Sequence, residues 1–144
     1  ETPDRPNHLS VYATEAYYTG PDSRVRRFEY RKDGFVSIRG GTKGGQLTTK
    51  PITLGRLAER LTLNYQTTKN GTLRVAIEDL NGKPIPGFTL EDCKPLKGDS
   101  LHRTVVWEDG PDISALRLKH KVVQLRFEIK NGDLYALQFQ PWLR

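Results

Sequence analysis

The sequence predicts an all-β fold, an antiparallel β-sandwich of jelly-roll type, and three observations support this. Apolar and polar residues alternate over short stretches, which is the period-2 pattern of half-buried strands. Turn-forming residues separate these stretches, and no helical pattern reaches the roughly ten residues of an ordinary helix. The 144 residues suffice to bury one core without disulfides. The single Cys93 can form none within the chain.

The strongest strand predictions are the alternating segments 61–66, 73–78 and 123–130. In the third, Val123, Leu125, Phe127 and Ile129 alternate with polar residues, so one strand face is buried and the other is wet. Short helical turns are predicted at 54–59 and 113–118. Weaker strand predictions, which bring the total to about ten, are 9–18, 25–31, 34–39, 46–54, 88–90, 103–107 and 134–139.

Turn chemistry lies between these strands. Asparagine and aspartate followed by glycine tolerate positive φ and favour hairpin turns. The glycine-rich segment 40–45 lacks the spacing of a phosphate-binding loop and is interpreted as a flexible hairpin loop. The predicted turns are Asp33-Gly34, Asn70-Gly71, Asn81-Gly82 and Asn131-Gly132.

The expected organisation is a linker remnant over residues 1–8 and a single β-sandwich domain over residues 9–144. The complete lack of methionine predicts that this chain belongs to a longer polypeptide. No apolar stretch approaches the roughly 18 residues that cross a bilayer, and no signal peptide is recognisable. We therefore predict no membrane partner.

The residues disfavour most catalytic chemistry. His8, His102 and His120 are too far apart for zinc spacing, and no nucleophile elbow or nucleotide-binding fingerprint is present. Glu78 and Glu128 are better interpreted as solvated surface charge than as a catalytic pair. No cofactor is predicted. The acidic turns 79–82, 109–112 and 131–133 offer oxygen ligands for a structural Ca²⁺ without the EF-hand spacing, so that ion stays open.

Positive charge is the clearest functional signal. The chain carries a net charge of +6, with an arginine-rich segment at 24–43. Guanidinium groups match carboxylate, sulfate and phosphate, and exposed aromatic rings can stack on sugars. The alternatives are a solvated strand edge for the arginines and core packing for Trp107. The predicted ligand-binding residues are Tyr17, Tyr18, Arg26, Arg27, Arg31, Asn64, Arg74, Trp107 and Arg126.

Three segments carry a family resemblance: Gly44-Gly45-Gln46-Leu47-Thr48-Thr49-Lys50-Pro51, the stretch from Asn81 to Cys93, and the stretch from Leu125 to Tyr135. They resemble the β-sandwich accessory domain that follows β-propeller, glycosidase-like domains in bacterial polysaccharide-degrading proteins. The resemblance implies a secreted or periplasmic protein whose catalytic glycosidase domain lies elsewhere in the same polypeptide. It transfers no functional residues. The basic segment 117–121 departs from the pattern and adds positive charge.

Three functions follow as hypotheses. The first is a non-catalytic carbohydrate-binding module for an anionic polysaccharide, sulfated or uronic. The second is a structural module packed on a catalytic propeller domain, and it predicts an exposed apolar patch. The third is a small polysaccharide lyase or hydrolase. Specific nucleic-acid binding is not predicted, because no recognition helix or RNA-binding motif is visible.

Overall fold

The computed structural model describes residues 4–142. The outer ends of the predicted linker and domain, residues 1–3 and 143–144, lie outside the described residues. The chain divides into two compact units, Glu1–Val36 and Ser37–Arg144, and His8 already belongs to the first strand. No helix within the described part of the chain is long and apolar enough to cross a membrane.

The first unit contains an antiparallel hairpin of β1 (His8–Glu15) and β2 (Arg24–Arg31). Its register pairs Leu9 with Tyr30 and Tyr12 with Arg27. The sequence predicted that the first strand would continue to Tyr18, and this is wrong. The strand ends at Glu15 because the backbone enters the left-handed region, with φ of 54° at Ala16 and 60° at Tyr18.

The second unit is built on a six-stranded antiparallel sheet. The elements of this unit are β3 (Ile38–Gly40), β4 (Gly45–Thr48), β5 (Ile52–Thr53), β6 (Arg60–Glu78), β7 (Asp99–Thr104), α1 (Leu116–Lys119) and β8 (Val122–Gln140). The edge segments β3, β4 and β5 pair in succession with β8, β8 pairs with β6, and β6 pairs with β7. The all-β, antiparallel prediction is confirmed, whereas the jelly-roll topology stays a prediction.

Two of the predicted turns are confirmed. Asp33 has a φ of 50°, and the Gly34 N–H donates to the Arg31 carbonyl at 3.1 Å. Gly82 has a φ of 76°, and its N–H donates to the Asp79 carbonyl at 3.0 Å. Both positions use the positive φ that asparagine, aspartate and glycine tolerate.

The other two turn predictions are wrong, because the pairs Asn70-Gly71 and Asn131-Gly132 lie inside the long strands β6 and β8. The two strands are paired with each other on both sides of this position, and their register shifts between Thr67 and Thr72. A Cβ on Gly71 would lie 2.3 Å from the Asn131 carbonyl oxygen. These glycines therefore allow a close backbone approach at a bulge rather than a chain reversal.

The glycine-rich segment 40–45 is also not a hairpin loop. Gly40 pairs with Gly132, and Gly45 pairs with Ile129 further along the same strand β8. The segment is therefore an excursion from the sheet edge between β3 and β4. It separates two grooves of the second unit.

The core of the second unit lies on one face of β6 and β8. Val75 and Ile77 of β6, and Leu125 and Phe127 of β8, are all fully buried. Trp107 and other side chains from the connections between β6 and β8 join the same apolar cluster. Because successive strand residues point to opposite faces, the polar residues between these core residues lie on the other face of the sheet.

Candidate functional site

Tyr17 and Tyr18 form an exposed ring pair in the first unit. Their side chains are 63% and 89% exposed, and their ring centroids lie 4.1 Å apart at an angle of 49°. The Tyr17 hydroxyl donates to the Tyr18 hydroxyl at 3.2 Å, and this hydrogen bond raises the pKa of Tyr17. The pair is an accessible aromatic surface, although it lies in a loop rather than on the predicted strand.

Carboxylate partners are present for three arginines of β2, namely Arg24, Arg26 and Arg27. Arg26 lies 2.9 Å from Glu15. Arg27 is paired with Glu29, and the hydrogen bond between them lowers the pKa of Glu29. Residues 1–36 contain six Lys and Arg against six Asp and Glu, which gives no net charge. Arg31 is only 7% exposed. The part of the basic segment that lies in the first unit, residues 24–36, is therefore largely neutralised there.

The second unit gathers polar side chains on one face of β4, β8 and β6. Cross-strand partners point to the same face of an antiparallel sheet. The register aligns Arg74 with Glu128, Glu78 with Gln124, and Arg126 with Ala76. Strand β4 adds Gln46 opposite Glu128. This polar face comprises Gln46, Thr72, Arg74, Glu78, Gln124, Arg126, Glu128 and Lys130.

Arg126 occupies the middle of the polar face. Its guanidinium donates to Gln46 Oε1 at 2.6 Å and lies 3.5 Å from Glu78 Oε1. The Arg126 side chain is 37% exposed, whereas that of Glu78 is 3% exposed. The interpretation of Glu78 as solvated surface charge is therefore wrong. Arg74 donates to the Leu90 carbonyl at 3.2 Å. Two guanidinium groups are thus held by neighbouring groups, and the carboxylate beneath Arg126 is shielded from solvent.

An open groove of about 380 Å³ adjoins the polar face, and we call it the Lys43 groove. It is lined by Lys43, Gly44, Gly45, Gln46, Thr72, Glu128 and Lys130. Within residues 4–142, neither Lys43 nor Lys130 has an ion-pair partner. The groove therefore presents two ammonium groups, one carboxylate and one amide to solvent.

A second groove of about 480 Å³, the Arg39 groove, lies on the other side of the 41–44 excursion. Its lining includes Arg39, Thr42, Gln66, Thr68 and Asp133. The Arg39 guanidinium donates to Asp133 Oδ1 at 3.0 Å, and this bond raises the pKa of Arg39. The charges of this groove are balanced, and its remaining side chains are neutral hydrogen-bonding groups.

Three predicted site residues, Arg31, Asn64 and Trp107, are buried in the structure, which leaves their side chains little access to a ligand. Trp107 is 0% exposed, its indole N–H donates to the Val75 carbonyl at 3.0 Å, and its ring meets Phe88 edge-on. Asn64 is 4% exposed. The alternation pattern placed Asn64 on a wet face, but exposure depends on packing that a local pattern does not contain.

The structure also adds residues that the sequence analysis did not select. Lys130 follows Arg126 and Glu128 at the period-2 spacing, so the strand pattern contained the signal that it shares their face. Gln46 and Thr72 join them only through strand pairing. The spacing of residues along the sequence does not indicate which strands pair.

Polar side chains of this kind bind hydroxyl, carboxylate and sulfate groups through hydrogen bonds and charge. No group of three or more His, Cys, Asp or Glu side chains suited to a metal ion occurs among the described residues. No protein-family model matches the sequence, and no curated protein or solved structure is significantly similar to the chain.

Proposed function

We propose that this chain is a non-catalytic carbohydrate-binding module that favours an anionic polysaccharide, sulfated or uronic. The proposal includes a secreted or periplasmic parent protein that degrades polysaccharide, with its catalytic glycosidase domain elsewhere in the polypeptide. The observation that carries it is the polar face with its adjoining Lys43 groove. There, two lysines that have no ion-pair partner among residues 4–142 lie beside amide and guanidinium groups.

The distribution of charge supports an anionic ligand. Residues 37–144 contain 17 Lys and Arg against 11 Asp and Glu. The whole excess of +6 therefore belongs to the second unit, which also contains the polar face. A surface potential of this sign raises the local concentration of an anionic polymer and its rate of association. We expect an affinity in the micromolar to millimolar range, about 4 to 8 kcal/mol.

The hydrogen-bonding groups of the polar face support a sugar. Gln46 and Glu128 offer an amide and a carboxylate in the open Lys43 groove, and Gln124 lies further along the same polar face. Within the first unit, Tyr17 and Tyr18 offer an exposed ring pair of their own that suits stacking on a sugar. Binding of this kind needs no cofactor, and a structural Ca²⁺ would act on stability alone. A jelly-roll relationship, as in the accessory domains that this sequence resembles, is part of the proposal.

Affinity electrophoresis through gels that contain polygalacturonate tests this function. We expect retardation of the chain at low salt and weaker retardation at high salt, because exposed charge interactions are screened. The double variant Lys43→Gln/Lys130→Gln should be retarded much less. The matched control Lys94→Gln/Lys97→Gln removes the same charge from exposed lysines outside both grooves. Equal mobility with and without polymer would refute the proposal.

A second candidate function, a structural module packed on the catalytic domain, is favoured by the exposed apolar residues. Among residues 4–142, nine of the 13 exposed large hydrophobic residues lie in the first unit, Val11, Tyr12 and Phe35 among them. An isolated two-stranded hairpin is marginally stable in water without a covering partner. A concentration of exposed apolar residues in one part of a protein is typical of protein contacts.

Binding of an apolar fluorescent dye tests this second candidate. The chain should enhance the dye's fluorescence in its native state, and the variant Val11→Thr/Phe35→Ser should reduce the enhancement. The conservative variant Val11→Ile should leave it unchanged. A native chain that does not bind the dye would contradict an accessible docking surface.

A further inference from the structure

The excursion 41–44 forms a fixed wall between the two grooves. It leaves the sheet edge after Gly40 and rejoins it at Gly45. The Gly44 N–H donates to the Gly41 carbonyl at 3.0 Å, which closes a turn. The Asn131 N–H of β8 donates to the same carbonyl at 3.1 Å. The Arg39 groove and the Lys43 groove are therefore held side by side.

The Arg39 groove is suited to a neutral group. Its one cation is neutralised, because Asp133 accepts hydrogen bonds from Arg39 at 3.0 Å and from the Ser37 hydroxyl at 2.8 Å. The other side chains that line it, Thr42, Gln66, Thr67, Thr68 and Asn131, carry no charge. They offer hydroxyl and amide groups in both donor and acceptor roles. That chemistry matches the hydroxyl and amide groups of a neutral sugar.

The Lys43 groove is suited to an acidic group. Lys43 and Lys130 line it together with a single carboxylate, Glu128. Strand pairing places Glu128 beside Arg74, whose positive charge offsets that of the carboxylate. Two ammonium groups in one groove favour a carboxylate or sulfate as ligand. A neutral sugar would leave that positive charge unmatched.

We infer that the two grooves are adjacent subsites for an oligosaccharide that alternates neutral and acidic sugar residues. This inference rests on the proposed function. The wall between them is short, since backbone positions 41 and 45 can be no more than about 14 Å apart. One short oligosaccharide can therefore reach both grooves. Uniformly acidic polymers would place a charge in the Arg39 groove, where no unpaired cation receives it.

Isothermal titration calorimetry with three probes tests the inference. The probes are hyaluronan hexasaccharide, which alternates glucuronate with neutral N-acetylglucosamine, polygalacturonate hexasaccharide, which is uniformly acidic, and an uncharged dextran oligosaccharide. We expect hyaluronan to bind about tenfold more tightly than polygalacturonate despite its lower charge. Dextran should bind more weakly than either.

Variants of the two grooves should then separate the probes. Gly41 lines the Arg39 groove, and an added Cβ there meets no atom within 4 Å. Gly41→Val should weaken hyaluronan binding more than threefold and leave polygalacturonate binding unchanged, whereas Lys43→Gln should weaken both. Gly55→Val, also with open space around the new Cβ but outside both grooves, is the control. Gln66→Ala tests the same groove should Gly41→Val fold poorly.

The outcomes distinguish the two claims. If none of the charged probes binds, the proposed function itself fails. If polygalacturonate binds as tightly as hyaluronan, or if neither Gly41→Val nor Gln66→Ala affects hyaluronan, the chain still binds anionic sugar but the paired-subsite inference is overturned.

Discussion

Replacing Trp107 distinguishes a packing role for its indole from the ligand contact that the sequence predicted. The ring is fully buried, donates to the Val75 carbonyl at 3.0 Å and contacts Phe88 with ring centroids 5.2 Å apart. Trp107→Ala should lower the free energy of unfolding by about 3 to 5 kcal/mol, through lost burial and a cavity. Trp107→Phe should cost about 1 to 3 kcal/mol, because the Val75 carbonyl loses its partner.

Urea denaturation followed by far-UV circular dichroism measures these losses. A domain of this size has a total stability of about 5 to 15 kcal/mol, so the alanine variant should show a clearly lower midpoint. The control is Trp142→Phe, because that ring contacts the Arg60 guanidinium at 5.0 Å and should contribute less than about 1 kcal/mol. A Trp107→Ala variant with the parent midpoint would refute the packing account. If Trp107→Ala kept the parent stability but lost polysaccharide binding, the ring would have to be a ligand contact.

Three further predictions concern local structure. The Lys83 N–H donates to Asp79 and lowers the pKa of that carboxyl. The stabilisation that the Asp79 carboxylate provides should therefore be complete above about pH 4 and be lost as the pH falls through the lowered pKa. In urea denaturation at several pH values, Asp79→Asn should reduce the loss of unfolding free energy at acidic pH. Burial raises the pKa of the Cys93 thiol, so it should react with a thiol reagent only in denaturant; rapid native labelling would contradict this. Gly71→Ala, whose Cβ would lie 2.3 Å from a β8 carbonyl oxygen, should cost about 1 to 3 kcal/mol, whereas Gly45→Ala, with open space, should not.

The parts of the fold that were predictable are those that short-range alternation controls. The stretch from Val123 to Lys130 alternates strictly, and it forms part of β8 with one buried face and one polar face. The period-2 pattern follows from strand geometry alone. It places Arg74 and Arg126 each on the polar side of its own strand, and the strand register joins the two sides into one face.

The long strands were not predictable from turn chemistry. Asn70-Gly71 and Asn131-Gly132 carry the residue types of hairpin turns, but each strand continues through its pair. Each glycine lies against the backbone of the other strand. Whether such a pair makes a turn or a bulge depends on the partner strand, and the local sequence does not contain that information.

Charge pairing and side-chain burial could not be predicted from the sequence either. The arginines of β2 read as a cationic cluster, but strand pairing places Arg24 beside Glu15, and Glu15 also pairs with Arg26. The net charge of the whole chain concealed that the first unit is neutral and that the second carries the excess. The sequence could not show whether the Trp107 ring is buried or exposed, because its burial depends on distant residues of β6.

The most direct test of anionic polysaccharide binding at the polar face is the salt dependence of the dissociation constant for polygalacturonate, measured for the parent chain and for Lys43→Gln/Lys130→Gln. We expect the parent's affinity to fall steeply with rising salt. The variant should lose about tenfold in affinity for each lysine at low salt and show a weaker salt dependence. A variant that matches the parent in both respects would refute anionic polysaccharide binding at the polar face.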